Sequence, residues 1–346
     1  MKPLHIPPHE QQYAGMIGTG GLGTGKFFHL NGNHTLGREE SRSGRFLDVE
    51  DYCKQHIILH YVKVLAGPQF SVTPIGKVGE DDLGHTLLRE MNATGFVMDH
   101  VQTQHAASTL FSLCFYYPDG SGGNLTTDNS ASAQVTAEDI ARASSEINAL
   151  GSRGIVMAAP EVPLAARAKL LMLGKAAGAC CAASFTAEEL RQPETHTMLS
   201  STDLLSINLS EAHALIPGHE HANTKDVVER TIQTLREANP HMLVAITDGR
   251  MGSWCWDGHT LNFRKSIDTV PRSTAGAGDA FFSGLLCGQI AGLSFFEAQE
   301  LATLVAALSV TSQHTIHKTL DRCALKEFYQ HTATALSLAV KKLLED

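Results

Sequence analysis

The sequence has no run of lysine or arginine: 27 basic residues face 36 acidic ones over 346 positions, a formal charge of -9. Nucleic acids and anionic membranes are bound by basic patches, so neither is expected as a partner. The longest apolar stretch, 281–296, is interrupted by Gly and Gln and is too short to span a bilayer. Residues 1–10 carry Pro, His and charge, so no signal peptide is expected.

The sequence also lacks any C-x-x-C pair, and its 18 histidines form no H-E-x-x-H or similar cluster. No zinc site is therefore expected. The cysteines are odd in number and mostly lie in apolar runs, which predicts reduced thiols and a cytoplasmic protein. They are Cys53, Cys114, Cys180, Cys181, Cys255, Cys287 and Cys323.

What the sequence does contain is enough apolar material, 43%, for one large core. No repeat, low-complexity tract or long linker divides it, so residues 1–346 are predicted to form a single α/β domain. From Gly154 onward, short apolar runs alternate with helical spacing, the pattern of a parallel sheet with crossover helices. We expect strands at 14–18, 72–75, 155–158, 179–183, Leu204–Asn208 and Leu243–Thr247, and helices around 227–235, 281–290 and 301–308.

The first half is less regular. Residues 28–49 are polar, with Gly, Asn, Ser and Arg, whereas 110–117 is an aromatic strand of period two, followed by a turn at 118–123. These features predict a small β lid outside the main sheet, formed by segments within about 28–50 and 108–132.

The most informative motif is the stretch Ser273 to Phe282, in which three small residues, Gly276, Ala277 and Gly278, precede Asp279. A strand is expected before it, at 266–270, and a buried helix after it. Small residues allow a ligand to approach the backbone, and the first amides of a helix favour anions, so a phosphoryl group would fit there. Asp279 could then take a proton from an attacking hydroxyl, although an Asp at a helix start can equally be only a cap.

Two more segments follow predicted strands. Thr247, Gly249 and Gly252 form a Gly-bearing loop at a strand's carboxyl end, where open α/β sheets bind ligands, although it could be a plain turn into a hairpin. Asn208 and Glu211 offer oxygen ligands suited to Mg²⁺ or its waters, or a helix cap. Both alternatives are open at this level.

The N-terminal glycines resemble two nucleotide-binding motifs. Residues 18–23 match G-x-G-x-x-G, and 20–26 nearly match the phosphate loop. The phosphate loop needs Ser or Thr where Phe27 stands, and a dinucleotide fingerprint needs a helix next, whereas 29–38 has no helical pattern. A dinucleotide-dependent oxidoreductase is therefore only a third hypothesis.

The three motifs together, in this order and spacing, resemble the ribokinase-like (PfkB-type) carbohydrate and nucleoside kinases. Residues 75–84 are similar to that family's I-G-x-V-G-x-D-x-x-G segment, and 302–311 to its adenine-side helix. The resemblance covers about residues 72–312. It implies a ribokinase-like α/β fold, with a mostly parallel central sheet flanked by helices and a small β lid.

The resemblance also implies roles. Asp279 would be the catalytic base, with the amides of Gly276, Ala277 and Gly278 around the transferred phosphoryl. ATP and Mg²⁺ would be the cofactors. Asn208 and Glu211 would organise Mg²⁺ through water, and Asn124 would contact the substrate from the lid. The nucleotide would be lined by Thr247, Gly249, Gly252, Thr303 and Ala306.

The sequence departs from the family on the substrate side. Glycines and threonines at 18–25 stand where an Asp is usual; Cys53, Lys54 and Ile58 align with a Gly-Gly…Asn segment; Gly123 precedes Asn124 where an acid is common; and Ser273 replaces an Asp. These losses predict that ribose and fructose 6-phosphate are poor substrates. The expected activity is transfer of the ATP γ-phosphoryl to a hydroxyl of a sugar or nucleoside-like molecule. The alternative is a catalytically weak nucleotide- or metabolite-binding relative, and a homodimer through the lid is a further expectation.

Overall fold

The computed structural model describes residues 1–7, 9–119, 121–218 and 223–345. Gly120, in the predicted turn at 118–123, lies outside the described residues. The main sheet has nine strands in the order β14-β13-β12-β11-β10-β9-β1-β5-β6. The seven from β12 to β6 are parallel, and β13 and β14 add an antiparallel edge. They are β1 (Gly15–Thr19), β5 (Ser71–Gly79), β6 (Val101–Gln104), β9 (Gly154–Ala158), β10 (Cys180–Ala183), β11 (Leu204–Asn208), β12 (Leu243–Thr247), β13 (Gly252–Trp256) and β14 (Leu261–Lys265).

Two apolar cores lie on opposite faces of this sheet, because side chains alternate along each strand. In β1, Met16 belongs to one core and Ile17 to the other. The first core is covered by α1 (Lys54–Ala66), α2 (Asp82–Thr94), α9 (Ala277–Ile290), α10 (Phe295–Ser309), α11 (Arg322–Gln330) and α12 (Leu338–Leu344). The second is covered by α3 (Ala137–Ala141), α4 (Ser144–Leu150), α5 (Leu164–Ala177), α6 (Pro193–Ser200), α7 (Leu209–Leu215) and α8 (Thr224–Ala238).

A second, small sheet has the order β3-β2-β7-β8, with β4 also paired to β2. It is drawn from residues 23–52 and 110–126, which overlap the two predicted lid segments, although the first begins at Gly23. Its strands are β2 (Gly23–Leu30), β3 (Gly44–Phe46), β4 (Asp51–Tyr52), β7 (Leu110–Tyr116) and β8 (Gly122–Thr126). The predicted fold class, a mostly parallel sheet flanked by helices plus a small sheet, is confirmed.

The predicted strand at 266–270 is wrong, since β14 ends at Lys265 and the following residues pair with no strand. The β-branched residues there misled the prediction, because Val270 is 86% exposed and Pro271 cannot donate to a sheet. The segment is instead a loop that leads into α9.

The helix α9 is held rigidly by its neighbour α10. Gly284 and Gly288 allow close approach, since a Cβ atom at either would lie 2.5 Å from an atom of Ala302 or Ala298. The position of α9, and with it that of its first turn, is therefore set by this close packing.

Among the described residues, no helix has the length and apolar content needed to cross a membrane.

Candidate active site

The first turn of α9 forms the centre of the site. Gly276 is the N-cap in a left-handed conformation (φ 77°), and a Cβ atom there would lie 2.8 Å from the carbonyl oxygen of Thr315. Only glycine meets both conditions without strain. Asp279 follows as the third helical residue, where the helix dipole favours an anion.

Asp279 is buried at 9% exposure, and its Oδ1 lies 3.6 Å from Nζ of Lys54. Lys54 is the first residue of α1, and its side chain is about one-third exposed. Burial raises the pKa of the Asp279 carboxyl, and the Lys54 charge opposes that rise. The Asp279 charge in turn raises the pKa of Lys54. The pair holds a carboxylate that can accept a proton in a site largely shielded from water.

The amides predicted to surround a phosphoryl group differ in their surroundings. The Ala277 N–H donates to the carbonyl oxygen of Thr274 at 3.2 Å, so it would have to exchange this bond to serve a ligand. Gly278 faces open space, since a Cβ atom there would contact nothing within 4 Å. The first turn of α9 is therefore accessible beside Gly278.

Asn208 and Glu211 form a capping box at the start of α7. The Glu211 N–H donates to Oδ1 of Asn208 at 2.9 Å, and the Asn208 N–H donates to Oε2 of Glu211 at 2.8 Å. The capping alternative is thus present in the structure. Burial raises the pKa of Glu211, and the charge of Lys54 opposes that shift. The role of these two residues at Mg²⁺ stays a prediction.

The predicted nucleotide residues lie on two elements. Thr247 ends β12, and Gly249 (φ 49°) and Gly252 (φ 132°) shape the turn into β13. Thr303 is buried on α10 and its hydroxyl donates to the carbonyl oxygen of Gln299, whereas Ala306 is half-buried on the same helix. The hydroxyl proton of Thr303 is therefore already used within the helix, which leaves the hydroxyl oxygen as an acceptor and the methyl group as an apolar contact.

The lid contributes polar side chains from one face of its sheet. Asn124 of β8 is exposed and pairs with Cys114 of β7, whose sulfur lies 3.6 Å from the Asn124 Oδ1. On the same face, Ser112 Oγ donates to Oδ2 of Asp51 at 2.8 Å. Thr315 lies between the lid and α9: its hydroxyl accepts from the Tyr52 N–H of β4, and its carbonyl oxygen lies beside Gly276. Asn124 therefore lies on the face that carries Asp51.

The structure adds three charged residues to the site that sequence reasoning missed as functional groups: Lys54, Asp51 and Glu161. Glu161 follows β9 and is the one non-glycine residue of the described chain with a positive φ, 75°. Burial raises its pKa to about 7, opposed mainly by Cys53 and Lys54. A strained backbone that holds a buried acid is typical of functional sites. The Pro-Glu-Val-Pro stretch after a strand is its only sequence signal, and a weak one.

Known proteins resemble this chain in sequence and in fold. The pfkB family carbohydrate kinase model matches residues 60–322. The fructoselysine 6-kinase of Shigella flexneri is 28% identical over 236 residues, which cover 67% of this chain and 80% of that protein. The ribokinase of Giardia lamblia superposes with a TM-score of 0.76 at 16% identity, covering 92% of this chain and 98% of that one. A candidate ribokinase II of E. coli, solved with ATP and Mg²⁺, superposes with a TM-score of 0.72 at 16% identity, covering 92% of this chain and 99% of that one.

The chain belongs to the pfkB family of carbohydrate kinases. It is a phosphotransferase that acts on an alcohol group. The kinase prediction made from the motifs at 208–211, 247–252 and 276–279 is confirmed at this level, and the oxidoreductase hypothesis is wrong. The reason is visible in the fold: the glycines at 18–23 lead into the strand β2 and not into a helix.

Proposed function

We propose that this protein transfers the γ-phosphoryl group of ATP, in the presence of Mg²⁺, to a hydroxyl group of a sugar or a related alcohol. The observation that carries the proposal is Asp279, a buried carboxylate in the first turn of α9, with Lys54 at 3.6 Å and open space beside Gly278. A base, a cation and helix amides in one small region are the parts that phosphoryl transfer needs.

In this proposal Asp279 accepts the proton of the acceptor hydroxyl as its oxygen bonds to phosphorus and the bond to the leaving ADP oxygen breaks. Lys54 keeps Asp279 ionised before the reaction and offsets negative charge near the transferred group. The amides of Gly276 and Gly278, with Ala277 if it gives up its bond to Thr274, would donate to the phosphoryl oxygens. Thr247, Gly249 and Gly252 would lie along the nucleotide, with Thr303 and Ala306 towards its base.

The described residues contain no group of three His, Cys, Asp or Glu side chains that could hold a metal ion by itself. This fits Mg²⁺ well, because Mg²⁺ in kinases is held largely by nucleotide phosphates and water. Oε1 of Glu211 and the exposed amide of Asn208 are the oxygens that would bind its waters. The ion would neutralise charge on the phosphate oxygens.

The acceptor is a sugar or a similar alcohol, which Asn124 would contact from the lid. The relative in Shigella flexneri is named a fructoselysine 6-kinase, so fructoselysine belongs in the first panel of acceptors. We expect ribose and fructose 6-phosphate to be poor acceptors, because no carboxylate stands at the glycine run 18–25, and Cys53 and Ile58 replace polar groups.

The test is ADP release coupled to product formation, measured with ATP and Mg²⁺ over sugars, fructoselysine, nucleosides and polyols, with Asp279→Asn alongside. We expect at least one acceptor to be phosphorylated and the variant to be inactive with it. Tight ATP binding without transfer to any acceptor would instead support the weak, nucleotide-binding alternative.

We also propose that two copies pair through the lid. The face of the small sheet opposite Asp51 carries apolar side chains, and two of them are strongly exposed, Phe46 at 64% and Leu125 at 60%. The others on this face are Phe28, Leu113 and Phe115. Sedimentation of Phe46→Arg tests the proposal: the wild type should be dimeric, and the variant should be monomeric with an unchanged circular dichroism spectrum. The cytoplasmic location predicted from the free thiols stays a prediction.

A further inference from the structure

The glycines at 18–25, which match nucleotide-binding patterns in the sequence, have a different role in the structure, in the acceptor half of the site. A Cβ atom at Gly21 would lie 2.5 Å from Oε2 of Glu161, and one at Gly25 would lie 2.3 Å from Oδ2 of Asp51. Between them, a Cβ atom at Gly23 would lie 2.8 Å from the Cys53 sulfur. These three glycines, two residues apart, leave the space that Glu161, Cys53 and Asp51 occupy.

The two carboxylates placed in this way have no cation of their own. Asp51 is 5% exposed, and its Oδ2 is served only by neutral donors, Ser112 Oγ at 2.8 Å and the Cys114 thiol at 3.6 Å. Oε2 of Glu161 has almost no accessible surface and no hydrogen-bond partner in the described part of the chain. Neither carboxylate takes part in an ion pair there.

The local charge is unbalanced. Two cations act on these groups: Lys54, whose ammonium lies beside Asp279, and Arg167, whose guanidinium is paired with Glu189. Because Glu189 balances Arg167, Asp51, Glu161 and Asp279 bring three negative charges when ionised, and Lys54 is their counter-charge. Leaving buried charges unpaired is costly, so these side chains are complementary to a ligand that brings a positive charge.

The remaining lining favours a cation over another sugar hydroxyl. Cys53 and Cys114 place thiols where a polyhydroxyl ligand would need strong hydrogen-bond partners, and thiols are weak donors and acceptors. An alkylammonium group presents N–H donors to the carboxylates and methylene groups to the sulfur atoms. Its chemistry matches both parts of the lining.

From this geometry we infer that the acceptor substrate carries a protonated amine, which Asp51 on the lid and Glu161 in the loop after β9 bind while the hydroxyl is presented to Asp279. The inference rests on the proposed kinase function and names its substrate class. Asp51 is then the residue that sets specificity, because it is supplied by the lid strand β4 and not by the helix that carries Asp279.

The experiment compares three matched acceptors: fructose, 1-amino-1-deoxyfructose, and its neutral N-acetyl derivative. We expect kcat/KM for the amine to exceed that of both neutral compounds by about tenfold or more, the size of one charge-assisted contact. Asp51→Asn should reduce this ratio by about tenfold, again the effect of one charged contact. Asp48→Asn, an exposed acid three residues away, removes the same charge and should leave the ratio unchanged.

Calorimetric titration of the same three compounds without ATP gives a second readout that does not need turnover. The amine should bind more tightly than the neutral compounds, and Asp51→Asn should remove the difference. If Asp51→Asn lowers the melting temperature strongly, Glu161→Gln takes its place, with the same expected loss of preference.

The outcomes separate the two proposals. Phosphorylation of neutral sugars at least as fast as of the amine, or a ratio that Asp51→Asn and Glu161→Gln leave unchanged, overturns the amine inference and leaves the kinase function standing. Amine binding that depends on Asp51, without phosphoryl transfer to any acceptor in the wider panel, overturns the proposed transfer reaction and supports the amine site.

Discussion

The proposed nucleotide half of the site and the proposed acceptor half differ in the groups that form them. The first uses backbone: the turn at Gly249 and Gly252, and the start of α9 at Gly276, each with a positive φ. The second uses charged side chains: the buried Asp51, and Glu161 and Lys54, which are partly exposed. A backbone-made site can serve one invariant ligand, whereas side chains can be exchanged to fit a new acceptor without disturbing the fold.

Asp279 lies where the two halves meet, so its removal should have the largest effect. We expect Asp279→Asn to lower kcat by roughly 10²- to 10⁴-fold, because Asn keeps the shape but cannot take the proton. The dissociation constant of ATP, measured by titration, should change little. Asp268→Asn, an exposed acid in the preceding loop, is the matched control. If the Asp279 variant keeps more than a tenth of the wild-type kcat, the base assignment is wrong.

Lys54 belongs to the acceptor half but acts on the base. We expect Lys54→Gln to lower kcat by about 100-fold, as for the loss of one electrostatic stabiliser. Without the cation the pKa of Asp279 should rise further, so the acid limb of the kcat profile should move to higher pH. Lys265→Gln, an exposed lysine at the end of β14, is the control. A profile that does not move would show that Lys54 and Asp279 are not coupled in the working enzyme.

Glu211 tests whether the capping box also serves the metal. We expect Glu211→Gln to raise the Mg²⁺ concentration for half-maximal rate by about tenfold, because an anionic charge leaves the metal's outer shell. Gln can keep the box, so the melting temperature should fall by little. An unchanged Mg²⁺ dependence with a clear loss of stability would leave only the capping role.

The smallest expected effect is the change in the free energy of unfolding caused by Glu161→Gln. Burial raises the pKa of Glu161 from 4.5 to about 7 in the folded state. Between these pH values the unfolded chain binds fewer protons than the folded chain, so the free energy of unfolding falls as pH rises. Glu161→Gln should therefore have a free energy of unfolding higher than that of the wild type by roughly 1–3 kcal/mol at pH 8, and about equal to it at pH 4. Glu188→Gln, an exposed neighbour, should show no such difference. Equal stability gains at both pH values would show that packing, not ionisation, is responsible.

The sequence motifs were enough to indicate the kinase family, and the roles given to their residues stay predictions. The segments at 208–211, 247–252 and 276–279 stand at strand ends or helix starts, where backbone geometry constrains which residue types fit, so the pattern is visible in one sequence. Lys54, Asp51 and Glu161 escaped because nothing in their local sequence distinguishes a buried charge from an exposed one. The strand expected at 266–270 failed for a related reason: local β-propensity did not reveal that Val270 has nothing to pack against.

By itself, the sequence determined the alternation of buried strands and helices, and so the parallel sheet, because apolar periodicity is a local property. It also indicated the kinase family through the motif at 276–279, although the same small residues and Asp could have formed only a helix cap. Only the tertiary structure decided what the glycines at 21, 23 and 25 are for. Their missing side chains make room for Glu161, Cys53 and Asp51, groups that lie up to 140 residues away along the chain and meet only when β2, β4 and the end of β9 pack together.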